Sequence, residues 1–447
     1  MLPITHIASE FAPIAKVGGM GDVTYGLSME QSRQGEKVRI ILPLYSSIDI
    51  PLSRFIQLNI NQTSIDIYRA KWLQFELYFI DLPEYFHRDR IYGCLDDTKR
   101  FGSFALAAAH LVKHLKAPFV HLHDWQTAIA APLLKKWNIP TLYTIHNLFH
   151  QGTAPATLLK ELGIDINTPT KNSVNFMEIG IDHATLITTV SPTYAQEILT
   201  PPLSCGLEKS LNKRKDDLHG ILNGIDIETW DSRNDHLLEA TYTLDTVTQM
   251  KKKNRLALQS HFGMDAPRGP LLISISRFDP QKNPELICTA MEKWVELGGQ
   301  AILIGVPSNH EMELLFDKYK KRCGKSRHIH LHRDFNEKLA HLAFGGSDFI
   351  LVPSLYEPCG LTQIIGMRYG TIPIVRKTGG LADTVTHNIN GISFEHSTIL
   401  ECNKAIEQAF HLTDSKRKEL LKRGMDHNWG WEFPTKKYKN LYRILAK

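Results

Sequence analysis

Two glycines beside a lysine mark the first candidate for chemistry. The stretch KVGGMGDV, Lys16 to Val23, lies between the apolar run ITHIAS and a segment of helical character. Glycine has no side chain, so the backbone at Gly18 and Gly19 can approach a ligand closely, and N–H groups at the start of a helix attract anions. Together with the charge of Lys16, this predicts an anion site, with phosphate as the natural candidate. The alternative is a plain tight turn, since glycine punctuates many connections between strands and helices.

A second pair of cations follows an apolar run in the second half of the chain. In SRFDPQKN, Arg277 and Lys282 come just after PLLISIS. Two cations at a strand end can neutralise a diphosphate leaving group without a metal ion. Loop cations are otherwise mostly solvated, and these residues alone leave that interpretation open.

The stretch VPSLYEPCGLTQ combines a carboxylate, a cysteine and a glycine between a strand and a helix. Glu357 either accepts hydrogen bonds from sugar hydroxyls or caps the helix. Cys359 is typical of a small buried side chain, because no histidine arrangement in the sequence supports a thiolate nucleophile. The glycine of this turn opens the helix N-terminus to a ligand. The candidate binding residues of the stretch are Glu357, Cys359, Gly360, Leu361 and Thr362.

Another strand, glycine pair and helix start occur in RKTGGLADTV. Gly379 and Gly380 either only make the turn or bring Thr378 and backbone amides near the same phosphates. The residues favour neither interpretation.

Polar side chains also end two strands in the first half of the chain. In HLHDWQT the strand ends with a histidine and Asp124, and in TLYTIHNLFHQG it ends with His146 and Asn147. Neither stretch contains the spacing of a zinc protease or a serine nucleophile, so a metal site is disfavoured. We expect these residues to recognise hydroxyl groups and to stabilise a sugar cation.

Short apolar runs alternate with helix-period segments through most of the chain, the pattern of parallel sheets covered by helices on both faces. Six runs in the first half predict strands (ITHIAS, KVRIILP, LQFELYFIDL, FVHLHD, TLYTIHN and TLITTVS). After NGID the pattern dissolves into a polar region, and a second series follows (PLLISIS, QAILIGV, HIHLHRDF, FILVPS, IPIVRK and GISFE). The sequence therefore predicts two doubly wound α/β units. Ligands of such sheets bind at the carboxyl ends of the strands, so we expect the two units to share a cleft there.

Composition excludes several classes of protein. The chain has 447 residues, a formal net charge of +5 and no polybasic block, so we expect neither nucleic acid nor a membrane surface as a partner. The sequence lacks an apolar run of the roughly 20 residues that span a bilayer and lacks a signal-peptide pattern. Six scattered cysteines without a CxxC pair predict free thiols, no zinc and a cytoplasmic protein.

The motifs taken in order resemble those of bacterial glycogen synthases and plant starch synthases. Eight collinear stretches carry the resemblance: SEFAPIAKVGGMGDV, HDWQ, TIHNLFHQG, TTVSPTYAQEI, GILNGID, SRFDPQKN, VPSLYEPCGLTQ and TGGLADTV. The family implies a GT-B glycosyltransferase fold, with two Rossmann-like domains facing a cleft. Its boundaries here would be residues 1–245 and 246–429, with a final helix at 430–447 packing back on the first domain.

The resemblance also implies an activity. Glucose would pass from ADP-glucose, a co-substrate, to the non-reducing 4-hydroxyl of an α-1,4-glucan, with retention, without metal and without a cofactor. The glucan would be glycogen, starch or maltodextrin, and the oligomeric state stays open.

Site roles follow by resemblance, position by position. Lys16 with Gly18 and Gly19 resembles the loop at the donor diphosphate and acceptor, and Arg277 with Lys282 resembles the pair that holds the departing phosphates. Glu357 resembles the active-site carboxylate, and His146 and Asp124 resemble groups beside the transferred sugar. The remaining matches are Glu10 and Asp22 near the cleft, and Phe335 where relatives carry an aromatic that stacks on adenine.

Two departures and several alternatives stay open. Gln126 and Glu178 stand where relatives often have His and Lys, which bears on acceptor affinity. The nearest rival functions are a glucan synthase that uses UDP-glucose and a sucrose- or trehalose-phosphate-type synthase. A catalytically silent glucan-binding protein is the rival from another class, and it would be expected to lose charged residues such as Lys16 and Glu357.

Overall fold

In a computed structural model, residues 3–166, 172–265, 268–324, 326–334 and 336–447 are described. The chain forms two compact units. The first comprises residues 1–224 and 431–447, and the second comprises residues 225–430.

The first unit is built on a mixed sheet. Its described strands are β1 (Ile4–Ile7), β2 (Val38–Pro43), β3 (Ser53–Ile60), β4 (Thr63–Trp72), β5 (Phe75–Asp81), β6 (Val120–His123), β7 (Thr141–Ile145), β8 (Thr153–Pro155), β9 (Ser173–Asn175), β10 (Leu186–Thr189) and β11 (Leu218–Gly220). The described strands of the main sheet lie in the order β11-β10-β7-β6-β1-β2-β5-β4-β3, while β8 and β9 form a separate antiparallel pair. Pairing is parallel from β11 to β5, and β3 and β4 add an antiparallel hairpin at one edge.

Helices cover both faces of this sheet. Successive residues of a strand point to opposite faces, so strands that are apolar throughout need a layer of helices on each face. The described helices are α1 (Gly19–Arg33), α2 (Pro83–Phe86), α3 (Asp97–His114), α4 (Trp125–Ala128), α5 (Ala130–Lys136), α6 (Thr157–Glu161), α7 (Phe176–His183), α8 (Pro192–Glu197) and α9 (Glu208–Lys213). Ile7 of β1 packs in a core with α3, α5 and α7, whereas Ile4 of the same strand packs in a second core with α1.

The second unit has a parallel sheet. Its described strands are β12 (Leu271–Ile275), β13 (Gln300–Ile304), β14 (Ile329–His332), β15 (Phe349–Val352), β16 (Ile372–Arg376) and β17 (Ile392–Phe394), in the order β14-β13-β12-β15-β16-β17. Its described helices are α10 (Val247–His261), α11 (Pro284–Glu296), α12 (His310–Cys323), α13 (Glu337–Gly346), α14 (Thr362–Arg368), α15 (Gly379–Thr384), α16 (Ile399–Phe410) and α17 (Asp414–Asp426). Two apolar cores lie on the two faces of this sheet.

The last helix, α18 (Glu432–Leu445), belongs to the first unit. Tyr438 and Tyr442, one helical turn apart, are buried in the core that contains α1. A Cβ atom at Gly26 of α1 would lie 2.0 Å from the indole nitrogen of Trp431, so glycine at this position allows α1 and the start of α18 to pack closely.

The structure divides the units earlier than the predicted boundary at residue 245. Leu238 and Tyr242 lie in the core of the second unit, and the Tyr242 hydroxyl donates to the carbonyl oxygen of Tyr369 at 2.9 Å. The polar segment after NGID therefore folds onto the second unit, because it contributes its few large apolar side chains to that core.

The described helices include none that is both long enough and apolar enough to cross a membrane.

Candidate active site

The glycine loop of the first unit lies between the end of β1 and the start of α1. Glu10, buried at the end of this strand, accepts the backbone N–H groups of Val17 and Gly18 on one carboxylate oxygen, at 2.6 and 2.8 Å. Its other oxygen accepts the Tyr92 hydroxyl at 2.7 Å. The sequence predicts a loop with N–H groups open to an anion, but two of them are already bound by Glu10. Glu10 therefore shapes the loop.

Gly18 differs from Gly21, where a Cβ atom would meet protein atoms at 3.4–3.5 Å. Its φ of −133° and ψ of −167° are extended values that any residue adopts, and a Cβ atom there would meet nothing within 4 Å. Neither the backbone nor the packing of this unit requires glycine at position 18. Space is thus left open beside the exposed residues Lys16 and Gly19. Lys16 forms an ion pair with Asp22 of α1 at 2.7 Å, with both side chains about half exposed.

Asp124 follows β6 in an unusual backbone conformation, with a φ of 57°. Conformations of this kind cost about 1–3 kcal/mol for a residue other than glycine and concentrate at functional sites. One carboxylate oxygen accepts the backbone N–H groups of His146 at 2.8 Å and Asn147 at 3.4 Å, which follow the neighbouring strand β7. Burial raises the pKa of Asp124 to about 7, while these N–H groups act in the opposite direction. Asp124 thus anchors the loop that carries His146.

His146 projects from the end of β7 and is partly exposed. Its Nε2 atom lies 2.9 Å from Nδ1 of His123 at the end of β6. Burial lowers the pKa of His146 to about 3, so the ring is neutral at physiological pH. The Asn147 side chain accepts the backbone N–H of Phe149 at 3.1 Å. The parallel order of β7, β6 and β1 brings the loops with His146, Asp124 and Glu10 to one edge of the sheet.

In the second unit, Glu357 and Lys282 form an ion pair at 2.5 Å, and both side chains are largely buried. The same oxygen of Glu357 accepts the Ser354 hydroxyl at 2.8 Å. Since β12 and β15 are neighbours in the sheet, their carboxyl ends deliver Lys282 and Glu357 to one place. The structure therefore brings the predicted lysine and the predicted carboxylate together.

Arg277 differs from Lys282 in exposure. Its guanidinium lies 3.1 Å from Asp279, and 57% of its side chain is exposed. The guanidinium also lies 3.4 Å from the side-chain oxygen of Gln281. Arg277 thus keeps most of its charge accessible, at the same strand end as the buried Lys282.

The glycine pair after β16 crosses the turn that carries Glu357. A Cβ atom at Gly380 would lie 2.1 Å from the carbonyl oxygen of Cys359, and the Gly380 N–H donates to the carbonyl oxygen of Glu357 at 3.0 Å. Gly379 has a φ of 44° and Gly360 a φ of 73°, in the left-handed region that favours glycine. These glycines therefore have structural reasons to be glycine, unlike Gly18.

The other predicted residues of this turn lie close to the same crossing. Cys359 and Thr378 are buried, and Leu361 and Thr362 are partly buried at the start of α14. Phe335 lies outside the described residues.

Sequence reasoning missed the residues that hold these turns. Gln281 donates from its side chain to the carbonyl oxygen of Tyr356 at 3.1 Å, and its own carbonyl accepts the Leu355 N–H at 2.8 Å. Arg376 at the end of β16 donates to the carbonyl oxygens of Ser354 and Leu355. Gln281 and Arg376 stand inside the quoted motifs, but only the fold shows that their partners are backbone carbonyls.

Of the two departures from the family pattern, Gln126 is buried in α4. Glu178 in α7 accepts the Ser210 hydroxyl at 3.1 Å. Glu178 is thereby tied to α9.

Comparison with known proteins gives matches over both units. Residues 3–213 match the starch synthase catalytic domain, and residues 265–426 match glycosyl transferases group 1. The glycogen synthase of Protochlamydia amoebophila is 35% identical over 99% of this chain and 99% of its own. The glycogen synthase of Geotalea uraniireducens is 36% identical with the same coverage of both chains.

A solved structure matches equally well. The catalytic domain of starch synthase IV from Arabidopsis thaliana, bound to ADP and acarbose, is 34% identical and superposes with a TM-score of 0.93, covering 100% of this chain and 99% of that one. The fold predicted from the sequence is confirmed by this similarity. The chain therefore belongs to the glycogen and starch synthase family and is a glycosyltransferase with the GT-B fold.

Proposed function

We propose that this enzyme transfers glucose from ADP-glucose to the non-reducing 4-hydroxyl of an α-1,4-glucan, with retention of configuration and without a metal ion. The choice of donor and acceptor is supported by the similar starch synthase IV domain, whose structure holds ADP and acarbose. The proposal extends to a cytoplasmic location, for which the six free cysteines are the support.

The observation that carries the proposal is the group of charges at the carboxyl ends of β12 and β15. Breaking the bond between the anomeric carbon and the donor phosphate builds negative charge on the diphosphate and positive charge on the sugar. Cations held in place before the reaction stabilise such a leaving group. Lys282 is held by its ion pair with Glu357, and Arg277 is accessible at the same strand end. The two side chains supply the positive charge that a metal ion supplies in other transferases.

Retention is proposed to follow from attack on the same face of the sugar. A double displacement needs a second carboxyl group about 5 Å from the first. Ile365, eight residues after Glu357 on α14, is buried in the apolar core of the second unit and offers no second carboxyl group. In the proposed step the bond from the anomeric carbon to phosphate breaks, the bond to the acceptor 4-oxygen forms, and the departing phosphate takes the acceptor's proton. The sugar is oxocarbenium-like in between.

The first unit is proposed to bind the sugar and part of the donor. His146 offers a neutral ring nitrogen, and Asp124 fixes the loop that carries it. Lys16, the exposed Gly19 and the open space at Gly18 suit an anionic or sugar ligand that approaches the backbone closely.

The test is radiolabelled glucose transfer with purified protein, from ADP-glucose and from UDP-glucose, each onto glycogen and onto short maltodextrins. We expect saturable transfer from ADP-glucose, an α-1,4 linkage in the product, and rates unchanged by excess chelator. Saturation by UDP-glucose with ADP-glucose inert would replace the donor assignment. Glucan binding without transfer from either donor would favour the catalytically silent alternative.

A matched pair of variants connects the assay to the charges. Arg277→Ala removes the accessible cation, whereas Arg268→Ala removes another cation of the second unit that lies outside the proposed site. Loss of turnover only in the first would support the role of Arg277, and equal rates in both would contradict it.

A further inference from the structure

A line of buried side chains runs through the first unit to His146. His146 Nε2 lies 2.9 Å from His123 Nδ1, and His123 Nε2 lies 3.0 Å from His6 Nδ1. His6 Nε2 lies 2.9 Å from the side-chain oxygen of Gln31 in α1, whose nitrogen donates to the hydroxyl of Tyr442 at 3.0 Å. His6, His123 and Gln31 are almost wholly buried. Two imidazole rings, those of His6 and His123, thus connect an amide of α1 to His146 of the proposed site.

A metal site is the first alternative to consider, because ligand atoms of His6, His121 and His123 lie within 4.8 Å of one another. All six ring nitrogens of these residues already have hydrogen-bond partners. For His121 the partners are the Tyr442 hydroxyl at 2.8 Å and the Thr144 hydroxyl at 2.6 Å. The cluster is therefore a hydrogen-bonded network, and a metal ion would have to displace several of its bonds.

The rings of this line are neutral. Burial lowers the pKa of His6 to about 4 and that of His146 to about 3, and it lowers the pKa of His123 well below its usual value. A neutral imidazole has one nitrogen that donates and one that accepts. Each ring in the line therefore adopts one of two tautomers, and the tautomer of one ring determines whether the next ring donates or accepts.

The Gln31 amide selects one of these two sets of tautomers. Its oxygen faces His6 Nε2, so that nitrogen must carry the proton and His6 Nδ1 must accept. His123 then donates from Nε2 and accepts at Nδ1, and His146 donates from Nε2 to His123. The ring proton of His146 therefore lies on Nε2, in the hydrogen bond to the buried His123. Within the described part of the chain, the Nδ1 atom of His146 has no hydrogen-bond partner.

We propose that Gln31 is a positioning residue that fixes the tautomer of His146, through His6 and His123, so that His146 Nδ1 presents a lone pair to a hydroxyl of the transferred sugar. The identity of the ligand rests on the proposed function, whereas the tautomer does not. Gln31 acts through three rings and touches no substrate. The bond between Gln31 and Tyr442 makes helix α18 part of the same arrangement.

The first test reads the tautomers directly in the whole protein without substrate. In ¹⁵N-histidine-labelled protein, long-range ¹H–¹⁵N spectra distinguish protonated from unprotonated ring nitrogens, and His146→Asn and His123→Asn assign the signals. We expect both Nδ1 atoms to be unprotonated and both Nε2 atoms to be protonated between pH 6 and 8. A proton on His146 Nδ1 would overturn the proposal, because the line would then run in the opposite direction. This result does not depend on which sugar nucleotide the enzyme uses.

The second test couples Gln31 to the substrate. Gln31→Met keeps the length of the side chain but removes the acceptor for His6. With the wild type, one deoxy analogue of the donor glucose should lose about 10-fold in kcat/KM, the usual effect of leaving a polar group without its partner. With Gln31→Met the loss for that analogue should shrink to about 2-fold, because the tautomer of His146 is no longer fixed.

Tyr143→Phe is the matched control, since it removes an equally buried hydroxyl of β7 that bonds to the sulfur of Met177 and lies outside the line. It should leave the analogue ratios and the His146 spectrum as in the wild type. Equal ratios for every analogue in wild type and Gln31→Met would overturn the proposal. Absence of transfer from any donor would overturn the proposed function but not the tautomer, which the spectra measure on their own. If Gln31→Met does not fold, the spectra of the wild-type protein still decide.

Discussion

Gly18→Ala should separate folding from function. The mutation adds one methyl group where a Cβ atom would meet nothing within 4 Å, at a backbone conformation that alanine adopts freely. Gly18 caps the N-terminus of α1, where alanine is less favourable than glycine by about 0.5–1 kcal/mol. The lower entropy of the unfolded alanine chain offsets this by about 0.4–1 kcal/mol. The free energy of unfolding should therefore change by less than about 0.5 kcal/mol, and Tm by less than about 2 °C.

Activity should respond very differently. If the ligand approaches the backbone at Gly18, the new methyl group occupies its space, and overpacking of this kind costs about 1–3 kcal/mol. That corresponds to a fall in kcat/KM of about 5- to 150-fold in the glucose-transfer assay. Separate KM values for donor and glucan would show which of the two meets the loop.

Gly21→Ala is the control from the same loop region. A Cβ atom there would contact Glu10, Lys16 and Ala15 at 3.4–3.5 Å, so the methyl group meets protein atoms in ordinary contact. This variant should keep its activity and gain stability through the higher helix propensity of alanine. Wild-type activity in Gly18→Ala would refute the reasoning. Equal losses in both variants would show that loop geometry, and not ligand space, makes the glycines necessary.

Three further predictions concern both units. Gly380→Ala places a Cβ atom 2.1 Å from the carbonyl oxygen of Cys359. The free energy of unfolding, measured with urea, should therefore fall by about 3 kcal/mol or more. A fall of less than about 1 kcal/mol would contradict the close approach of Gly380 to Cys359. Arg277→Ala should lower kcat by about 100-fold and leave Tm unchanged. Lys282→Ala should lower both kcat and Tm, because it leaves the buried carboxylate of Glu357 without its cation. Unchanged turnover in either variant would contradict the assignment to the phosphates. Because burial raises the pKa of Asp124 to about 7 from an unfolded value near 4, the folded protein keeps a proton that the unfolded chain releases, and stability should fall as pH rises through this window. Asp124→Asn should remove this fall in the free energy of unfolding. If the wild type and the variant show the same pH profile, the buried carboxyl group of Asp124 is not the cause of the fall.

The sequence predicts buried parallel strands well because they are continuous apolar runs. The six runs predicted in the second half of the chain coincide with β12 to β17. The hairpin of β3 and β4 was missed, although SRFIQLNI and TSIDIYR alternate between polar and apolar residues. Its turn uses Asn61 and Gln62, both with positive φ, and lacks the Asn-Gly signal that usually marks such hairpins.

The site was predicted in its residue types but not in its connections. The motifs identify Glu357 and Lys282 separately, yet their ion pair depends on β12 and β15 being neighbours in the sheet. Glu10 was predicted only to lie near the site. Its hydrogen bonds from the backbone N–H groups of Val17 and Gly18 depend on how the glycine loop folds back, which the sequence does not show. The bond between His6 and His123 joins residues far apart in sequence. Such contacts follow from topology, which no local pattern contains.

The helix α18 has a consequence for synthesis on the ribosome. It supplies Tyr438, Tyr442 and Leu445 to an apolar core of the first unit, yet that unit's main segment ends at residue 224 and its final segment starts at residue 431. At about 5–20 residues per second, the ribosome needs about 10–40 s to make the intervening chain. During that interval the part of this core that α18 covers, which includes Val23 and Leu27 of α1, lacks the apolar side chains of that helix. A nascent first unit should therefore bind general chaperones and become resistant to protease only after α18 has left the ribosome.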